Sequence, residues 1–548
     1  MALARSAFVL LLCGLCIAVV ASELAPAFRL GNALNAPDSI VKEYTLPQTA
    51  DHFTAGAFKT FPQRFFFRDD YWNQNKRPQL AYLCVGGEGT PLGLDVLIDS
   101  SHCSEMVDLA KTTGALLVAL EHRFYGKSYP VPDIRTENLK LLSTKQAVND
   151  LAYFVEYLMA NADPSQVRPK EFKWILFGGS YPGMLASFAR IKYPNIFHAA
   201  IANSAPVRPS VEMAEYNGMV AYALSAPSVG GSLECLKAVK GAHDSLYQKI
   251  RSDNETRLAL AKRLHICNPD DLSDRKSVAQ WIGFGAFDVP AQTNDPACKI
   301  IDPTSLCDIE SICKVMTDAS IGSYEDRFWV VYENQWQHSI HQLGDRSRLR
   351  SPRLAPLHHT MASRIRSRRS LSSQSLTLSG DDDVCLHINY EDSIATMKNP
   401  TIVEDNTYRT WMYQTCTAWG FFQTCTYKGK CPFPVEAGLD IQFYFEVCKE
   451  VFDVDPAVIM SGVTDMAIEY GSDTPVTPRI MYVNGEIDPW IANSITQKLT
   501  PQQPVMNVTG ASHHFWTHAP LPTDSKFIVE ARQAIYKQVI EWTKEPRF

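Results

Sequence analysis

Three wholly apolar runs constrain the fold more than any other feature of the chain. They are LAYLCV at 80–85, ALLVAL at 115–120 and WILF at 174–177, and each leads into a polar or glycine-rich turn. Strands that read as unbroken apolar runs are buried on both faces, the condition of a parallel sheet covered by helices. The segments between the runs carry helical periodicity. In AVNDLAYFVEYL, residues Ala147, Leu151, Phe154, Val155 and Leu158 share one face, and Ser143 with Gln146 has the spacing of a capping box. Strand, helix and strand in alternation predict an α/β core.

The rhythm changes after AAIANSAPV at 199–207. From 209 to 470 the pattern is helical and rich in cysteine, from Cys235 to Cys448. Strand-like runs resume with RIMYVNG at 479–485 and PVMNVTG at 504–510. A last amphipathic segment, Asp524 to Trp542, directs Phe527, Ile528, Ala531, Ile535, Val539 and Trp542 toward a core. The simplest organisation is one α/β domain in two pieces, 22–208 and 471–548, interrupted by a helical cap at 209–470. An independent second domain would leave both α/β pieces with an incomplete sheet. Within the cap, residues 345–380 are crowded with Arg and Ser and nearly devoid of aromatics, which predicts a disordered loop. It contains Arg366-Ser367-Arg368-Arg369, which has the form of a proprotein-convertase site and equally of a solvated basic loop.

At the N-terminus Arg5 precedes the apolar run AFVLLLCGLCIAVV, which ends at Val19-Val20-Ala21. This predicts a secretory signal over 1–21, removed before Ser22. The run falls short of the roughly 20 residues of a membrane span, so no stable anchor is expected after removal. Loss of Cys13 and Cys16 takes the 14 cysteines to twelve, an even set bound for an oxidising compartment, and disulfides follow. The sequons at Asn254 and Asn507 fit the same route as glycosylation sites. A net charge of −7, with only 20 % charged residues, gives no reason to expect a nucleic-acid partner.

Ser180 lies in GGSYPG, after a predicted buried strand and before the helical pattern MLASFARIKYP. That is the setting of a nucleophile elbow, although Pro182 breaks its usual G-x-S-x-G form. The oxyanion hole of such a turn uses the N–H of the residue after the serine, here Tyr181. Pro182 comes one place later, in the first helical turn, where a missing N–H is tolerated. Gly86 and Gly87, after the first apolar run, are candidates for the second oxyanion donor. Two later loops supply Asp488 as acid, with Glu486 as rival, and His513 or His514 as base, in the order serine, acid, histidine. His513, His514 and His518 also admit a metal reading, but Pro520 and Pro522 follow at once and no acidic third ligand lies nearby. No metal or cofactor is expected.

GGEG, EHRFYG, GGSYPG, SAPV with GGSLEC, YQTCTAWGFFQTC, NGEIDPW and GASHH together resemble the prolyl-carboxypeptidase family of serine peptidases, and within it the thymus-specific serine protease branch. The resemblance implies an α/β-hydrolase fold with a helical cap inserted before the acid and histidine, and it matches Ser180, Asp488 and His513 to nucleophile, acid and base. It implies peptide substrates cut next to proline, by a carboxypeptidase or dipeptidyl aminopeptidase, in lysosomes, vesicles or outside the cell. Two departures stand out: Ala418 occupies a place where Glu is common, and Pro182 one where Gly or Ala is common. Glu88 is a candidate for holding a substrate terminus, an ammonium in the simplest case, or else for satisfying its own turn. Pairing into a homodimer stays open. The same triad would serve an esterase or lipase. A catalytically dead secreted binding protein is disfavoured by an intact serine, acid and histidine in order.

Overall fold

The computed structural model describes residues 27–546 except 37, 57, 90, 164–166, 168–171, 296–297, 349–374, 379–383 and 404–406. The signal over 1–21 and the Arg366–Arg369 motif therefore lie outside the described residues. The three apolar runs form the middle of an eight-stranded sheet. Its first six strands are β1 (Lys42–Thr49), β2 (Thr60–Arg68), β3 (Gln79–Val85), β4 (Leu116–Leu120), β5 (Phe172–Gly179) and β6 (Phe197–Asn203). Four short strands intervene: β7 (Ser210–Glu212), β8 (Ser375–Leu378), β9 (Val384–His387) and β10 (Gly420–Phe422). The last two strands, β11 (Ile480–Gly485) and β12 (Val505–Val508), rejoin the sheet, whose order is β1-β2-β4-β3-β5-β6-β11-β12. The β1–β2 and β2–β4 pairs are antiparallel and every later pair is parallel.

Alternation along the central strands assigns residues to two cores, because successive side chains leave opposite faces of a sheet. Ala81, Leu83, Val118, Trp174 and Leu176 pack with Leu151, Phe154, Leu185 and Phe188 of the helices Thr144–Ala160 and Tyr181–Lys192. Tyr82, Leu117, Ala119, Ile175 and Phe177 pack with Met106 and Leu109 of Ser104–Thr113 and with Ile535 and Val539 of Lys526–Lys544. Half of the expected capping box forms. Ser143 Oγ accepts from the Gln146 N–H at 3.2 Å, but the Gln146 amide turns to the β1–β2 loop, accepting from His52 N–H and donating to Asp51.

Between β6 and β11 the chain is mainly helical. Ten of the twelve paired cysteines lie here, joined as Cys235–Cys313, Cys267–Cys385, Cys298–Cys307, Cys416–Cys448 and Cys425–Cys431; Cys84–Cys103 ties β3 to the next helix. The disorder expected over 345–380 is corrected at both ends. Residues up to Arg348 continue the helix Tyr324–Arg348, and β8 pairs antiparallel with β9. Ser375, Leu376, Thr377 and Leu378 alternate as a strand does, and Cys385 in β9 is anchored to Cys267. Among the described residues no helix is long and apolar enough to cross a membrane.

Candidate active site

Ser180 sits at the carboxyl end of β5 with φ 64° and ψ −133°, a conformation that few non-glycine residues adopt. Its N–H donates to the Asn203 carbonyl at 2.9 Å, and the Tyr181–Lys192 helix starts at once. The flanking glycines have identifiable neighbours. A Cβ on Gly178 would lie 2.3 Å from the Pro182 carbonyl oxygen, one on Gly179 would lie 2.9 Å from the His514 ring, and one on Gly183 would press on β6. Pro182 falls within the first helical turn, as anticipated, and its ring fills the space where a Gly87 side chain would be, 2.3 Å from that Cβ position. The proline that breaks the motif and the glycine opposite it are therefore matched.

The two loops after β11 and β12 bring acid and histidine together. Gly485 lets them cross, since a Cβ there would lie 2.3 Å from the Ser512 carbonyl oxygen. Asp488 is wholly buried and caps the turn Pro489–Asn493 by accepting from Trp490 N–H at 3.0 Å. Both of its carboxylate oxygens lie 2.9 Å from His513 Nδ1. A carboxylate only accepts, so Nδ1 donates and Nε2 of a neutral imidazole is left as the basic nitrogen. His513 Nε2 is buried and has no hydrogen-bond partner among the described residues. An unpaired buried nitrogen beside a serine turn is what a base awaiting a reacting group presents, and such contacts often tighten only with substrate bound. Glu486 is not in this arrangement: it accepts from Gly510 N–H and from the Tyr222 hydroxyl. His514 is also a neighbour, its ring bonded to Thr517 Oγ1, and His518 pairs with Asp524.

The structure separates the two glycines nominated as oxyanion donors. Gly86 N–H donates to the Leu120 carbonyl at 2.9 Å, which extends the β3–β4 ladder and removes Gly86 as a donor. Gly87 remains, and neither its N–H nor that of Tyr181 donates to an acceptor among the described residues. Glu88 stands beside them with part of its surface open to solvent. Enclosure by the surrounding protein raises its pKa to about 8, which favours the neutral carboxyl at neutral pH when no cation is beside it.

Several supporting residues carry no signal of their role in the sequence. Ser204, at φ 44°, accepts from the His514 N–H at 2.8 Å and so holds the histidine loop against β6. Gln292, from the helical insertion, receives the His513 N–H at its carbonyl and the Trp490 Nε1–H and Tyr216 hydroxyl at its side chain. Asn203, whose carbonyl receives Ser180 N–H, accepts at its side chain from Trp516 Nε1–H at 2.7 Å and donates to Glu105 at 3.1 Å. Of the glycosylation candidates, Asn254 and Asn507 are both exposed.

Burial raises the pKa of Glu105 to about 8, as it does for Glu88, and lowers those of His122, His198 and His243 to about 4. The His243 ring lies among Phe287, Phe328 and Phe433. The two signs set a stability optimum. A glutamate with a raised pKa contributes stability that is present below about 4.5 and lost as pH rises toward 8. A histidine with a lowered pKa contributes stability that is present above about 6.5 and lost as pH falls toward 4. Thermal unfolding followed across pH should therefore peak at about pH 6 to 6.5, and Glu105→Gln should flatten the alkaline limb. An alkaline limb of unchanged slope in that variant would remove Glu105 from the explanation.

A mostly parallel sheet with the serine after its fifth strand, and with acid and histidine on the loops after its last two, defines an α/β-hydrolase. The Serine carboxypeptidase S28 family model matches residues 48–351 and 358–535, and the chain belongs to that family. It is 30 % identical over 529 residues to the thymus-specific serine protease of Mus musculus, covering 96 % of this chain and 91 % of that one. Against the human thymus-specific serine protease the identity is 29 % over 503 residues, covering 91 % and 86 %. Against the human lysosomal Pro-X carboxypeptidase it is 23 % over 553 residues, covering 99 % and 98 %. The protein is a serine-type peptidase.

Proposed function

We propose that the protein is a serine exopeptidase of the secretory pathway that cleaves peptides next to proline through an acyl-enzyme. Ser180 attacks the peptide carbonyl, and His513 takes the proton at Nε2 and returns it to the leaving amine. Asp488 fixes the imidazole tautomer and stabilises its charged form. The N–H groups of Tyr181 and Gly87 receive the developing oxyanion. The observation that carries this reading is the buried Asp488–His513 pair, whose free Nε2 lies in the loop packed against the Ser180 turn. Six disulfides and the exposed sequon asparagines support passage through an oxidising compartment.

Aromatic rings lie close to His513. Trp490 lies 6.2 Å from the His513 ring and 5.5 Å from Phe421, and both line a cavity in the helical insertion together with Trp411, Met412 and Phe422. An apolar wall of this kind suits a proline or another apolar side chain. A protonated Glu88 can donate to a terminal carboxylate, and the matching family is described as serine carboxypeptidases; both favour the carboxyl terminus. Digestion of a peptide library read by mass spectrometry should show residues lost from one chain end, the carboxyl end, with proline enriched beside the cut bond. Internal cleavage without terminal preference, or hydrolysis of acyl esters alone, would overturn the exopeptidase reading.

A further inference from the structure

Tyr181 contributes more than its N–H. Its hydroxyl stands in a buried chain of hydrogen bonds that begins beside the sheet and ends in the helical insertion. Gln414 Nε2 donates to the Tyr181 hydroxyl oxygen at 3.1 Å, and His122 Nε2 lies 2.9 Å from the same atom. The Tyr125 hydroxyl donates to Gln414 Oε1. His122 Nδ1 lies 2.5 Å from the Arg123 carbonyl, and a carbonyl only accepts, so Nδ1 carries the proton. Nε2 is then the acceptor and the Tyr181 hydroxyl donates to it, which fixes the direction of each bond in the chain. Tyr125, Tyr181 and Gln414 are each only 1 % exposed.

The chain joins three separate pieces of sequence. His122 and Tyr125 follow β4, Tyr181 follows the nucleophile, and Gln414 ends the helix Tyr408–Gln414 where it passes into a π-helical turn, Thr415–Trp419. That turn lays Trp419 against the Tyr181 ring at 4.6 Å and anchors its own indole N–H on Thr144. The Tyr181 side chain is thus held at its ring and at its oxygen. Fixing the ring and the oxygen limits how far the Tyr181 Cα can shift, and with it the planar peptide unit whose N–H is bonded to that Cα. An oxyanion donor acts only when aimed at where the charge develops.

We propose that Gln414 is a positioning residue: through the Tyr181 hydroxyl it couples the seat of the helical insertion to the aim of the Tyr181 N–H at the oxyanion. Gln414 needs no contact with substrate to do this. The proposal rests on the triad reading above, and it concerns the transition state rather than ground-state binding.

Gln414→Leu keeps the side chain's bulk and loses both hydrogen bonds, and Tyr181→Phe removes a single oxygen. With a peptide substrate taken from the library digest, both variants should lower kcat roughly 10-fold, less than the about 10²–10³-fold of losing a donor outright. KM and the affinity for the non-covalent cleavage product should stay within about twofold, because neither reports oxyanion binding. Affinity for a peptide aldehyde, which forms a tetrahedral adduct on the serine, should fall by the same factor as kcat. A raised KM with unchanged kcat, a weakened product complex, or constants equal to wild type would each overturn the proposal. If Gln414→Leu does not fold, Tyr181→Phe decides by the same criteria. Fluorophosphonate labelling of Ser180 that persists in the variants keeps the triad reading intact whatever their kinetics, whereas its absence in the wild type would sink the triad reading instead.

Discussion

Asp488→Asn should lower kcat by about 10⁴-fold while leaving the protein folded. Asparagine can keep the cap on Pro489–Asn493, its one oxygen accepting from Trp490 N–H as Oδ1 does now at 3.0 Å. That choice turns its amide nitrogen toward His513 Nδ1, where a carboxylate oxygen now lies at 2.9 Å. Oδ1 also lies 2.9 Å from Nδ1 and is already engaged by Trp490, whereas an amide nitrogen in the other position donates; its N–H is satisfied only when Nδ1 accepts, which favours moving the proton to Nε2, the atom proposed to take the serine's proton. The geometry would survive and the tautomer would be wrong. Steady-state kinetics together with a thermal unfolding curve separate this from misfolding. Near-normal activity in Asp488→Asn, with loss in Glu486→Gln, would transfer the acid's role to Glu486.

Arg123→Leu should destabilise the fold by about 3–5 kcal/mol, the usual consequence of leaving a buried charge without its partner. Arg123 is wholly buried, and its guanidinium donates to both carboxylate oxygens of Asp150, at 2.6 and 2.5 Å. It also donates to the carbonyls of Thr49, Ala50 and Leu141, so one side chain ties the end of β1, the loop before Thr144–Ala160 and that helix together. Only the His52 ring, 2.8 Å away, would remain within ion-pair distance of the Asp150 carboxylate among the described residues. Urea unfolding of the variant measures the loss. Replacing Asp150 as well, in Arg123→Leu/Asp150→Leu, removes the stranded charge and should restore part of it. Equal stabilities of wild type and Arg123→Leu would mean that the ion pair contributes nothing.

The parts of the fold and site that are legible in the sequence are those with local patterns. Unbroken apolar runs identify β3, β4 and β5 because burial on both faces leaves no polar alternation. Ser180, Asp488 and His513 can be nominated from sequence because each follows a predicted strand, in a fixed order along the chain. Gly86 and Gly87 cannot be told apart from sequence, since which N–H is taken depends on the pairing of β3 with β4, a register that neither segment encodes alone. The contacts of Gln292 and Gln414 are invisible for a similar reason. Gln414 falls within the YQTCTAWGFFQTC motif, but both residues act through contacts with segments 198 and 233 residues away in sequence. Gln146 has the right spacing for a capping box, yet a tertiary contact with the β1–β2 loop outcompetes the local one. The Arg and Ser bias of 345–380 likewise conceals the alternation of Ser375–Leu378, a strand too short to register against its surroundings.

Labelling with a fluorophosphonate probe tests the central claim most directly, because the reagent reacts with an activated serine and leaves a mass tag on it. The wild-type protein should carry one tag, on the peptide that contains Ser180, and Ser180→Ala of unchanged circular dichroism should carry none. A tag that persists on Ser180→Ala, or that maps to another serine in the wild type, would contradict Ser180 as the nucleophile and with it the proposed triad.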